Sequence, residues 1–296
     1  MTVTGGLMKQ LIMFEGIPGS GKTTYALRLE KYFNDIEKPV KCYVEGDRNP
    51  ADLAWCAVLD DSEFQEVLAN YPMYKEKILE FSFRESGKII IPYISIDIQG
   101  EHKALWDFFE SKEIFNGRYS VDDFLRINYH RWKTFADENS HKDEVVIFES
   151  VFMQNHVNEI ILFHEYDYDA ILRYIQTLLS AVCDMNPLLI YLNQSDISKT
   201  IYDVASKRKS KTAGFPDWID RVSEYIGSTP FAKRSCKNGV GCFIEFLEVR
   251  REIEQRLFKD LDIPKLLVND SSTDYERGFS EVLSYISGIY DNGRRT

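Results

Sequence analysis

The sequence predicts an α/β fold: a three-layer sandwich on a parallel five-stranded sheet, with a helical lid and one long inserted segment. Three observations support it. Short, uninterrupted apolar runs such as Leu11-Ile12-Met13-Phe14 and Val145-Val146-Ile147-Phe148 suit strands covered on both faces. Stretches with apolar residues at helical spacing lie between such runs, and strands that alternate with helices build parallel sheets. Finally, Gly16-Ile17-Pro18-Gly19-Ser20-Gly21-Lys22-Thr23 joins the first strand to the first helix in the pattern G-x-x-x-x-G-K-[ST].

Taken in order, residues 11–14 are the first strand, and residues 23–33 the first helix, with Tyr25, Leu29, Tyr32 and Phe33 at helical spacing. Pro39-Val40-Lys41-Cys42-Tyr43-Val44 reads as the second strand and ends in Glu45-Gly46-Asp47. Residues 50–142 form a long, aromatic-rich insertion. Within it, Phe81-Ser82-Phe83-Arg84 and Lys88-Ile89-Ile90-Ile91-Pro92-Tyr93 flank Glu85-Ser86-Gly87 as a hairpin, and residues 126–132 look helical. The third strand, 145–148, ends in Glu149. A helix over 169–185 precedes the fourth strand, Pro187-Leu188-Leu189-Ile190-Tyr191-Leu192. The basic run Lys207-Arg208-Lys209-Ser210-Lys211 and the Gly- and Lys-containing stretch 227–241 mark residues 203–242 as a mobile lid. Pro264-Lys265-Leu266-Leu267-Val268 is the fifth strand and residues 275–290 a covering helix, so residues 1–296 are expected to form a single domain.

The loop chemistry points to a nucleoside triphosphate. Glycines let the backbone curl around phosphates, the lysine reaches the β- and γ-phosphate oxygens, and the hydroxyl holds Mg²⁺. ATP is therefore expected on Gly16, Pro18, Gly19, Ser20, Gly21, Lys22, Thr23 and Thr24, with Mg²⁺ held by Thr23 and Glu149. Glu149 closes an apolar strand as a Walker B acid does; the plainer reading is a helix-start acid favoured by the dipole. Ligands in parallel sheets sit beyond the carboxyl ends of the strands, where the loop and both acidic strand ends would meet.

Phosphoryl transfer needs a carboxylate near the attacking oxygen and cations over the transferred group. Glu45 is the candidate base, with Asp47 beside it on the acceptor; both are also readable as solvated loop acids next to a turn glycine. Lys22 and Arg208 are the candidate catalytic cations, although a basic run is often only a solvated helix face. Arg84 and Arg131 are candidate acceptor ligands, with surface ion pairing as the alternative for Arg131. Trp55, Tyr93 and Trp106 are expected to shape a pocket or fill a core, the core being the better reading for large aromatics.

At 296 residues, with 44% hydrophobic content, the chain is long enough for a sizeable core. Its net charge of −11 disfavours a protein that coats nucleic acid or an anionic membrane. The five cysteines (Cys42, Cys56, Cys183, Cys236, Cys242) show no zinc or redox spacing, and the five histidines no paired ligand spacing. A reducing, cytoplasmic setting is expected. The start, Met1-Thr2-Val3-Thr4-Gly5-Gly6, lacks the regions of a signal peptide. The partner expected is a small-molecule acceptor rather than a nucleic acid polymer or a membrane, with a homodimer left open.

Four segments together resemble the thymidylate kinase and deoxynucleoside kinase group of P-loop kinases: Phe14-Glu15-Gly16 entering the loop, Tyr43-Val44-Glu45, Phe148-Glu149-Ser150-Val151-Phe152, and Leu189-Ile190-Tyr191-Leu192 leading toward Lys207-Arg208. The resemblance implies transfer of the γ-phosphoryl group of ATP to a small molecule, with Glu45 near the acceptor hydroxyl and Arg208 on the phosphates. One departure is Ser150, where deoxynucleoside kinases carry Arg and thymidylate kinases Asp-Arg. The acceptor stays open between a nucleoside or nucleotide and another metabolite or antibiotic. A different class also remains: a nucleotide-dependent switch or ATPase whose insertion binds a protein partner.

Overall fold

Leu11 to Gly16 form a strand with every residue buried, which fixes it at the middle of a sheet rather than at an edge. The computed structural model describes residues 10–293 apart from 86, 97, 99–101, 166, 211–213 and 215, and side chains up to 289. The chain start, the hairpin residue Ser86 and the lid residue Lys211 therefore lie outside the described residues. In chain order come β1 (Leu11–Gly16), α1 (Lys22–Asp35) and β2 (Val40–Tyr43). Then follow β3 (Cys56–Leu59), α2 (Asp61–Asn70), α3 (Lys75–Phe81), β4 (Phe83–Glu85), β5 (Lys88–Pro92), α4 (Lys103–Ser111) and α5 (Val121–Asn139). The remainder is β6 (Val145–Glu149), α6 (Gln154–Phe163), α7 (Tyr168–Ser180), β7 (Leu188–Asn193), α8 (Ile197–Lys207), α9 (Trp218–Gly227), α10 (Pro230–Arg234), α11 (Gly239–Asp260), β8 (Lys265–Asn269) and α12 (Tyr275–Gly293).

The chain divides into two units, residues 1–45 with 132–296 and residues 46–131, the division falling inside α5. The second unit takes in most of the insertion expected over 50–142.

The first unit is an α/β three-layer sandwich. Its five strands run parallel in the order β2-β6-β1-β7-β8, which puts β1 at the centre. The register pairs Phe14 with Glu149, Tyr43 with Phe148 and Gly16 with Leu192, so the loop after β1 and the ends of β2 and β6 emerge along one edge. On one face, Ile12, Phe14, Ile147 and Ile190 meet Tyr25, Leu29 and Phe33 of α1 and Phe279, Val282 and Ile286 of α12. On the other, Phe148 packs against Trp132 and Phe135, and Tyr191 against Phe258 of α11. The alternation of side chains along each strand produces these two layers.

The unit 46–131 is α+β. Its antiparallel sheet has the order β3-β5-β4, and α2, α3 and α4 bury Phe64, Ile78, Leu105 and Phe109 against Ala57, Leu59, Ile89 and Ile91. The expected hairpin is β4 with β5, Arg84 opposite Ile89, turning at Gly87 with φ +76°. Its third strand, Cys-Ala-Val-Leu, is too short to display a period. Asp60 and Glu63 form a reciprocal capping box that starts α2 directly after it.

The lid region, 203–242, contains the end of α8, all of α9 and α10 and the start of α11; the stretch 227–241 includes a short helix rather than only loop. None of the five cysteines is in a disulfide. Among the described residues, no helix is long and apolar enough to cross a membrane.

Ile147 is fully buried in the sheet and lies between β1 and β2. Ile147→Ala is expected to lower the unfolding free energy by about 2–5 kcal/mol, read from urea denaturation. A loss under about 1 kcal/mol would show that this face is not the packed core described.

Candidate active site

The loop after β1 is shaped by close approach. Gly16 has φ +144° and Gly19 φ +85°. A Cβ on Gly16 would stand 2.5 Å from the Leu192 carbonyl oxygen, and one on Gly19 would stand 2.3 Å from Val204 Cγ2. Both glycines are required sterically, before any ligand is considered. The loop tightens through the Ser20 N–H to the Ile17 carbonyl at 3.2 Å, and α1 opens with the Tyr25 N–H to the Gly21 carbonyl at 3.0 Å. From the β8 side, Ser271 Oγ donates to the Ser20 carbonyl at 2.7 Å, and Gln194 Nε2 donates to Ser271 Oγ at 2.9 Å.

Lys22 begins α1 and is buried, with Nζ donating to the Gly16 carbonyl at 2.9 Å and the Ile17 carbonyl at 3.2 Å. Its ammonium is folded back on the loop. Burial pushes its pKa down, with Glu45 and Glu149 opposing that shift and Arg250 adding to it. Thr23 Oγ1 lies 3.0 Å from both Glu149 carboxylate oxygens, and Glu149 Oε2 also accepts the Glu45 backbone N–H at 3.0 Å. One nearly buried carboxylate thus joins the loop, the end of β2 and the end of β6. Ser150, next to it, holds φ +67° and directs the chain toward α6.

The Glu45 side chain is exposed at the sheet's carboxyl edge. Pro18 is half-buried, and Thr24 is exposed on the first turn of α1. Arg208 follows α8 directly, with its guanidinium carbon 5.1 Å from the centroid of the Trp218 ring. The loop's Gly19 packs on Thr200 and Val204 of the same helix, so Arg208 lies one turn beyond that contact.

The remaining candidates belong to the unit 46–131. Asp47 is exposed there. Arg84 is exposed and paired with Asp61, whereas Arg131 is buried, bonded to Glu85 and donating from Nε to the Asp52 carbonyl at 3.2 Å. Arg84 and Glu85 alternate across β4, so Arg84 and Arg131 serve opposite faces. Tyr93 is fully buried core, with Trp106 packed edge-on at 4.8 Å between ring centroids, and Trp55 remains 42% exposed at φ +59°.

Sequence reasoning assigned no role to the polar layer beneath the loop. Glu15, fully buried, accepts backbone N–H groups from Phe152 at 2.8 Å, Met153 at 3.0 Å and Gln154 at 3.0 Å, capping α6. Arg250 and Glu254 of α11 are also buried and bond to each other at 2.9 Å; Glu254 further accepts the Tyr191 hydroxyl at 2.8 Å. Their i, i+4 spacing is indistinguishable in sequence from an exposed helix pair, so the only available signal was Glu15, an acid interrupting an apolar strand.

No family model matches the chain, and no curated protein matches it. Among solved structures, a thymidylate kinase from Candida albicans is similar over 94% of each chain, at 11% identity and a TM-score of 0.37. Likeness of that degree leaves the reading of the site to its own geometry.

Burial, and next the nearby Glu254 charge, push Glu15 up to about 7 from an ordinary 4.5. A carboxyl that binds its proton more tightly when folded contributes stability fully below pH 4.5 and loses it as pH rises through about 7. The wild-type protein is therefore expected to lose up to about 3 kcal/mol relative to Glu15→Gln across that window, measured by urea unfolding at several pH values. A pH-independent difference between the two would remove Glu15 as the titrating group.

Proposed function

We propose that this protein is an ATP- and Mg²⁺-dependent small-molecule kinase that moves the γ-phosphoryl group to a hydroxyl or phosphate of its acceptor. The observation that carries the reading is the Glu149 carboxylate, which receives the Thr23 hydroxyl and the Glu45 backbone N–H. Three separate chain segments are thereby held around the end of one glycine-rich loop. Generic strand–turn–helix packing has no need of a buried lysine and an acid-bound threonine there.

The residues fit the groups proposed. Two loop glycines take positive φ where Leu192 and Val204 leave no space for a side chain, which fixes the tight loop that a phosphate cradle needs. A hydroxyl and a carboxylate are hard oxygen donors of the kind Mg²⁺ takes, usually alongside phosphate oxygens and water. Among the described residues, no three His, Cys, Asp or Glu side chains form a metal-holding group, so the rest of the coordination would come from phosphate and water. Thr23 and Glu149 would hold Mg²⁺, which would supply charge neutralisation during transfer.

The chain's own residues supply the rest. Loop amides among Gly19, Gly21, Lys22, Thr23 and Thr24 orient the phosphates, Pro18 having no N–H and that of Ser20 being bonded to Ile17, and Lys22 turns from the Gly16 and Ile17 carbonyls to the β- and γ-phosphate oxygens. Thr23 and Glu149 hold the metal. Glu45, anchored through its backbone on Glu149, takes the proton that an acceptor hydroxyl loses as its oxygen bonds to the γ-phosphorus and ADP departs. Arg208 leaves the Trp218 ring and covers the transferred group. Asp47, Arg84 and Arg131 belong to the unit 46–131, where Arg84 is held by Asp61 and Arg131 by Glu85 on the opposite face of β4, so one acceptor does not engage both arginines.

A screen of nucleosides, nucleoside monophosphates and hydroxylated antibiotics for ADP release from ATP and Mg²⁺ is expected to show one class stimulating release. Hydrolysis that no acceptor accelerates would overturn the kinase reading. On a hydroxyl acceptor, Glu45→Gln should spare ATP binding and lower transfer by roughly 10²-fold or more. Unchanged turnover would exclude Glu45 as the base.

A further inference from the structure

Arg250 is only 1% exposed, and its guanidinium is shared among three elements. Nη2 donates to the Gly16 carbonyl at 2.8 Å and to Gln154 Oε1 at 3.3 Å, Nη1 donates to Asn158 Oδ1 at 3.1 Å, and Nε to Glu254 Oε1 at 2.9 Å. Glu254 is itself fully buried and fixed by the Tyr191 hydroxyl. A buried ion pair adds little net stability over apolar packing of the same volume, so stability alone is a weak reason for placing one under the loop.

The Gly16 carbonyl explains the placement. It accepts from Lys22 Nζ at 2.9 Å and from Arg250 Nη2 at 2.8 Å. A buried carbonyl stripped of its donor is destabilising, and Lys22 abandons this one whenever it turns to a phosphate. Arg250 stays, since an arginine keeps its charge and its forked geometry at any working pH. Gln154 links the clamp to Glu15, the residue before Gly16, through its own backbone N–H. The first residue of the loop is thus held from α6 and α11 together.

We propose that Arg250 is a positioning residue for Lys22: by keeping the Gly16 carbonyl bonded, it frees Lys22 to exchange between the loop carbonyls and phosphate oxygens. This rests on the reading of the loop as an ATP site.

Calorimetric titration of the full-length protein with ATP and with AMP, in Mg²⁺, tests both in order. A wild-type protein that does not bind ATP ends the ATP-site reading and this proposal with it. With wild-type binding in hand, Arg250→Met combined with Glu254→Gln, which leaves no unpaired buried carboxylate, is expected to weaken ATP about tenfold or more. AMP should weaken less than about twofold, because Lys22 serves the β- and γ-phosphates. Lys22→Met is expected to weaken ATP more than about tenfold in the wild type, but by no more than about twofold further in the Arg250 background. Additive losses, or equal weakening of AMP, would make Arg250 structural only and overturn the proposal. If the paired variant does not fold, Arg250→Gln keeps a neutral donor for the Gly16 carbonyl. In it, the same titrations are expected to show ATP weakened at least about threefold more than AMP, because Gln lacks the fork that holds Gly16 and Glu254 together. Equal weakening of ATP and AMP in that variant overturns the proposal as well.

Discussion

The carbonyl of Gly16 is the constraint around which this site is organised. It closes a central strand buried from end to end and cannot be left without donors in that setting. Lys22 and Arg250 both supply it, one from the loop itself and one from a helix more than two hundred residues later. The loop's shape follows, because a carbonyl held at two donors fixes the plane of the first peptide. Gly16 and Gly19 can then meet Leu192 and Val204 only without side chains. The Lys22 ammonium is stored where it has partners, close to where its chemistry would require it.

Around that point charges of opposite sign are interleaved: Glu15, Lys22, Glu149, Arg250 and Glu254, all buried. Taking so many ions out of water is costly unless each is bonded by donors or acceptors of the right kind, and each of them is. Glu15 has three backbone amides, Glu149 a hydroxyl and an amide, Glu254 a guanidinium and a phenol. The carboxyl that burial disfavours most visibly, Glu15, titrates near neutrality, while Tyr191 is held well above its ordinary range by burial beside Glu254. Such a network leaves few alternative arrangements for the loop, which is what a site relying on positioning and charge neutralisation requires.

Legibility from sequence followed locality. Strands buried on both faces announce themselves as apolar runs, and a loop whose glycines, lysine and threonine fall within eight residues can be read without knowing the fold. Glu149 was legible because it ends such a strand, and Glu45 because it lies two residues beyond the half-buried edge strand β2, which parallel pairing brings to the same end as β6. Arg250 was not, since a buried Arg–Glu pair four residues apart on a helix looks like any exposed one. Arg84, on the hairpin, and Arg131, in the helical stretch 126–132, were both candidate acceptor ligands, and surface pairing was the alternative for Arg131; instead Arg84 pairs with Asp61 at the surface and Arg131 is buried against Glu85. Strand alternation at β4 separates them, and no composition or spacing carries that information.

The sequence by itself determined the parallel α/β core, the position of the loop at the end of its first strand, and the acids that close the neighbouring strands. These depend on periodicity and on contiguous motifs, which are properties of the chain. Tertiary structure alone decided that the Thr23 hydroxyl and the Glu45 amide share one carboxylate, that α6 is capped from β1, and that α11 reaches beneath the loop. Those contacts join residues 104 to 234 positions apart. Only the packing of strands and helices into layers sets such distances.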